Sequence, residues 1–207
     1  ESMIKPYKSF NFLIEHSAIS AKISLVLFLL FFQTSGFSQI IGGFPNRIKW
    51  NQIENDTVQV VFPAGMDYWG QRVANIAAFM ASKNDSSLVT PPFKTTIFVR
   101  NLTTIPNGFV AIAPYRAGFF STPAYNQFNG LSSWIDLLSI HEYRHVLQYS
   151  KVMVKRKWSP EHILFGQGGW AVISFIVLPN WYWEGDAVKT ETLYTHSGRG
   201  RVPGFYL

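Results

Sequence analysis

The chain has 207 residues and no cysteine, which excludes disulfide staples, thiolate metal ligands and a lipobox anchor, and leaves histidine and carboxylate to hold any metal. With 47% hydrophobic and 16% aromatic residues it is a folding sequence, long enough for one domain with a real core. The net charge is +6, but the one basic cluster, Lys151, Lys155, Arg156 and Lys157, follows a helix whose C-terminal dipole favours cations, so no nucleic-acid surface is expected.

Residues 23–32, ISLVLFLLFF, form an apolar run preceded by Lys5, Lys8 and Lys22. Gly36 and Ser38 fit the small-residue positions of a signal-peptidase site. Residues 1–38 are therefore read as a signal peptide and 39–207 as the mature domain, with Met3 as the initiator. The expected location is secreted or periplasmic, as for an exported bacterial protein. The run is too short for a comfortable span, so no stable membrane segment is expected after cleavage; an uncleaved anchor is the alternative.

Residues 56–63, DTVQVVFP, alternate as a strand, with Val58, Val60 and Phe62 on one side. Asp67 caps a predicted helix to about Ser82 that buries Trp69, Val73, Ile76 and Met80. Residues 83–92 read as loop and 95–100, TTIFVR, as a second strand. Asn107-Gly108 marks a turn. Residues 109–120 are extended, and Pro114 confines them to an edge or to two short pieces. Such an edge can hold a peptide by backbone pairing or be an ordinary edge strand.

Ser133, with Asp136 three residues on, caps the next helix. Trp134, Leu137, Leu138, His141 and His145 follow the helical period, so the histidines continue a buried stripe. Residues 141–145 read HEYRH, an H-E-x-x-H pattern. Residues four apart share a helix face, so both imidazoles can converge on one ion, with Glu142 beside them to take a proton from water. A lone buried histidine is usually a satisfied core residue. Two of them around a glutamate are costly to bury without a partner, and a metal removes that cost. Ser159-Pro160-Glu161 starts another helix, and residues 168–178 read as a core segment. His162 reads as structural.

Residues 180–193, NWYWEGDAVKTETL, form a helix capped by Asn180 that carries Glu184, Ala187, Val188 and Glu191 on adjoining turns. Three protein ligands plus water make a catalytic zinc site, and His₂Glu is one established set. HEYRH followed by WYWEGDA, with Glu191 seven residues after Glu184, resembles the gluzincin metallopeptidases of the MA clan. NGFVAIAPYR is similar to the strand before the zinc helix in their secreted bacterial members. The resemblance covers roughly residues 55–200.

It implies an α+β zincin-like fold, a small mixed sheet with an edge strand packed on the zinc helix, followed by a helical part. It implies Zn²⁺ held by His141, His145 and Glu184, Glu142 as general base, and hydrolysis of a peptide or protein substrate by a metal-activated water. Glu191 and Asp186 are expected as supporting groups, Asp186 also as the rival third ligand. Tyr194 and His196 are candidates for the transition-state donor, and Ala111, Ala113 and Arg116 for substrate binding. Arg199 and Arg201 read as substrate-carboxylate binders or loop charges. A metzincin is excluded by Gln148 and Lys151, where that family needs glycine and histidine. The short stretch after Glu184 leads us to expect a chain truncated at its C-terminus, with further domains beyond it; similar secreted bacterial proteins continue into a β-propeller. The rival to a peptidase is a catalytically weak or inactive metal-bearing binding or assembly module of the cell envelope.

Overall fold

Alternating apolar residues in the first half of the chain build a five-stranded mixed sheet. The computed structural model describes residues 47–83, 92–124 and 133–202, with positions 24 and 45. The strands are β1 (Trp50–Glu54), β2 (Val58–Pro63), β3 (Thr95–Arg100), β4 (Gly108–Ile112) and β5 (Tyr115–Phe120). Their order is β1-β2-β3-β5-β4. β2, β3 and β5 run parallel, while β1 and β4 pair antiparallel at the two edges. In β2 and β3 every second residue is buried, including Val58, Val60, Phe62, Ile97 and Val99, as expected for strands with one face on a core.

Helix α1 (Asp67–Ser82) has the predicted bounds and buries Val73, Ile76 and Met80. Trp69 is only partly buried against the same core. Helix α2 (Trp134–Lys155) follows, then α3 (Pro160–Phe165), α4 (Gln167–Val177), α5 (Asn180–Tyr194) and a 3-10 turn, Arg199–Arg201. α2 packs between α1 and α5 and lies along β4. A second, smaller core gathers Ile112, Tyr149, Met153, Trp170 and Trp183. The described chain is thus a mixed α+β unit, and its residues from 47 onward belong to one compact unit.

Several expectations change. β1 has no apolar alternation; its pairing with β2 creates it. Residues 109–120 do form two short pieces divided at Pro114, as expected, the hairpin β4–β5, with β4 the outer strand. Ser133 stands at the N-cap of α2, but its side chain makes no cap bond, and Asp136 instead accepts from Arg72 Nε at 2.7 Å and Nη2 at 2.8 Å. The N-cap positions of α1 and α5 are Met66 and Pro179, one residue before Asp67 and Asn180. Residues 168–178 are only in part a core segment: Gly169, Trp170 and Ser174 of α4 are buried, Ala171 packs against the second core, and Val172, Phe175, Ile176 and Val177 are exposed. The proposed signal peptide, its cleavage site and residues 203–207 lie outside the described residues apart from position 24. Among the described residues no helix is long and apolar enough to cross a membrane.

Candidate metal centre

Helix α2 carries His141, Glu142 and His145 on its buried stripe, all less than a tenth exposed. The two imidazole rings stand nearly perpendicular, 5.0 Å apart. Glu184, from α5, closes the group: its Oε2 lies 3.2 Å from His141 Nε2 and its Oε1 3.6 Å from His145 Nε2. Ligand atoms on a tetrahedral ion with bonds of about 2.0–2.1 Å sit about 3.3 Å apart, so these separations suit a shared ion. Among the described residues, His141, His145 and Glu184 are the one group of histidines and carboxylates that can hold a metal ion.

Hydrogen bonding behind His145 fixes which nitrogen faces the group. Gln148 Nε2 donates to Asp186 Oδ2 at 2.7 Å and to the Trp183 carbonyl at 3.2 Å. Both partners only accept, so the amide orientation is set. Gln148 Oε1 then faces His145 Nδ1 at 2.8 Å and requires a proton there. In the neutral ring Nε2 carries the lone pair, and that lone pair looks at a carboxylate oxygen. Two acceptors facing each other need a cation between them, either a metal ion or a second proton on the ring.

His141 has a charged support. Glu191, almost fully buried, places Oε2 3.2 Å from His141 Nδ1. Arg199 holds Glu191 through Nε to Oε1 at 2.7 Å, Nη2 to Oε2 at 2.8 Å and its backbone N–H to Oε1 at 3.0 Å. Arg199 Nη2 also reaches His141 Nδ1 at 2.5 Å. A protonated Nδ1 satisfies Glu191 and a bare one satisfies Arg199; ligation through Nε2 selects the first. Gly198 makes this arrangement possible, because a Cβ there would meet the Thr192 backbone at 2.5 Å.

The electrostatics follow from these contacts. Burial alone would lower the His141 pKa, but its bonds to Glu184 and Glu191 and the nearby Glu142 raise it to about 8. The hydrogen bond from His141, with the His145 ring close by, holds the Glu184 carboxyl well below the usual carboxylate range. Burial pushes Glu142 upward against the pull of both histidines, so it is a stronger base than an exposed glutamate. Glu191 stays low despite burial, held by His141 and Arg199.

The other sequence-derived residues fall in different places. Asp186 is not a third ligand: it accepts from Arg144 Nε at 2.7 Å and Nη2 at 3.0 Å, and reaches the centre only through Gln148. Arg199 is engaged by Glu191 and not presented to a substrate carboxylate, and Arg201 donates to the Thr192 carbonyl. Tyr194 packs edge-on against Phe79 and shares with His196 a groove whose lining includes none of the three donors. Ala111 sits on edge strand β4, Ala113 in the following turn, and Arg116 on interior strand β5. β4 begins against the base: a Cβ on Gly108 would meet Glu142 Oε1 at 2.9 Å. His162 is structural, stacked on Trp170 at 3.8 Å.

Sequence reasoning missed Gln148, Arg144 and Tyr149, which stacks on His145 with ring centres 6.1 Å apart. Gln148, one turn after His145, was the detectable one. No protein-family model matches the chain, and no curated protein or solved structure matches it.

Proposed function

We propose that this chain is an exported, zinc-dependent peptidase of the gluzincin type, with His141, His145 and Glu184 as ligands. The observation that carries the reading is the carboxylate of Glu184 facing ring nitrogens of two histidines on one helix, with buried Glu142 between those histidines in sequence. The donors are two imidazoles and one carboxylate, a set that suits zinc. Zinc bound there supplies Lewis acidity toward a scissile carbonyl and lowers the pKa of water.

The chain's own residues do the rest. Glu142, its basicity raised by burial, accepts the proton of the attacking water and returns it to the leaving amine. Glu191 and Gln148 hold the Nδ1 protons and aim both Nε2 atoms at Glu184. β4 is the outer strand beside α2 with no further strand paired to it among the described residues, and Gly108 lets it approach Glu142 closely. An extended peptide added to that edge would run past the base.

The test compares wild type with Glu142→Gln on a mixed peptide library, with zinc content measured in both. A general base contributes about 10²–10⁴-fold, so the variant is expected to keep its zinc and lose hydrolysis by that factor. Zinc retained in both, with wild type no faster than the variant, would make the chain a metal-bearing binding module instead.

A further inference from the structure

Single exposed apolar residues need no explanation, but a contiguous set does. α3 and α4, which pack on each other, carry such a set: Phe165, Phe175 and Ile176 are 63%, 59% and 73% exposed, flanked in sequence by Trp158 at 81% and Trp181 at 73%. On α4, Val172, Phe175 and Ile176 form a stripe at i, i+3 and i+4. The helix is anchored by its other side, where Trp170 is buried and donates from Nε1 to the Arg156 carbonyl at 2.9 Å. The outward stripe is therefore the free face of a docked helix.

Charge defines what fits it. Between residues 158 and 182 the only acidic side chain is Glu161, and Arg156 neutralises it in an ion pair. Lys155 and Lys157 lie exposed at one border, with Lys157 Nζ 5.4 Å over the Trp158 ring. Trp158, just before α3, and Trp181 and Tyr182, at the start of α5, are exposed side chains of the kind suited to a boundary between apolar and wet surroundings. A second copy of α3 and α4 would bring no free acid to meet the lysines, whereas an anionic bilayer meets both the apolar stripe and its cationic rim.

The geometry points to this face as a membrane-docking surface. α3 and α4 lie in the interface of an anionic bilayer, Phe165, Phe175 and Ile176 enter the acyl boundary, and Lys155 and Lys157 rest among the headgroups. Trp181 lies one turn before Glu184 on α5, so docking brings the Glu184 turn of that helix toward the lipid surface.

The experiment is co-sedimentation of the full chain with phosphatidylglycerol and with phosphatidylcholine vesicles, beside Phe175→Glu/Ile176→Glu and Lys155→Glu/Lys157→Glu double variants. Circular dichroism and zinc content verify that each variant is folded. Wild type is expected to bind phosphatidylglycerol at least tenfold better than phosphatidylcholine. The apolar pair of substitutions should lower that binding at least tenfold, and the lysine pair several-fold. Equal binding by wild type and the Phe175/Ile176 variant would assign any attachment to another segment and overturn the inference. A concentration-dependent dimer without vesicle binding, abolished by the same substitutions, would overturn it in favour of self-association.

Discussion

Ile97 and Ile176 are the same side chain in two halves of one chain. Ile97, in β3, is fully buried, whereas Ile176, in α4, is 73% exposed. The sheet and α1 gather apolar side chains inside, and α2 joins that core through Ile135, Leu138, Val146 and Leu147 while burying the polar stripe His141, Glu142, His145 and Gln148. The helical half after residue 158 exposes much of its apolar surface and buries charge and hydroxyls, among them Glu191, Thr190 and Ser174. Burial of apolar area stabilises a fold, while a buried charge costs free energy unless it is paired. The first half is therefore organised by the core. The second supplies the carboxylate that completes the candidate metal group and turns an apolar helix face outward.

The largest effect separating the halves is on stability. Ile97→Ala leaves a cavity in the sheet core and is expected to cost about 2–5 kcal/mol, against about 0.5 kcal/mol or less for Ile176→Ala. Urea unfolding of both variants measures this, and equal costs would break the comparison.

The next effect lies inside the centre, where the two histidines have unlike supports. Glu191→Ala removes the charged partner of His141 and leaves Arg199 uncompensated. Loss of such a supporting group lowers metal affinity about 10–100-fold. Gln148→Ala removes a neutral partner of His145 and should fall at the lower end of that range. Competition with a chromogenic chelator ranks the two; the reverse order would show that Glu191 does not orient His141.

The smallest effect is a pH dependence. His141 is raised from 6.5 to about 8 in the metal-free fold. Its stabilising contribution is full below about pH 6.5 and is lost as pH rises through 8. Zinc needs the unprotonated ring, so its affinity falls as pH drops below about 8. The gap between the thermal midpoints of zinc-loaded and zinc-free protein should therefore widen from pH 6.5 to 8.5. A gap that narrows over this range would contradict the assigned contacts.

Legibility in the sequence follows the same division. Val58, Val60 and Phe62, the bounds of α1 and the pairing of His141 with His145 were readable because strand and helix periods place side chains on faces. β1 was not, since Asn51, Gln52 and Glu54 carry no apolar alternation and only pairing with β2 makes them a strand. For α4 the apolar content pointed to a buried segment, but apolar content does not reveal which residues remain wet. Glu184 was readable from the resemblance carried by its local motif. The contacts of Arg199 with Glu191 and of Arg144 with Asp186 were not, because they join residues through the fold and leave no spacing rule in the chain.

The most direct test of the central claim is zinc content, with X-ray absorption at the zinc edge, for wild type and Glu184→Ala. A centre built from His141, His145 and Glu184 gives one zinc per wild-type chain, with nitrogen and oxygen ligands at about 2.0–2.1 Å, and a marked loss of zinc in the folded variant. Full zinc occupancy with an unchanged ligand shell in Glu184→Ala would show that this carboxylate does not hold the ion.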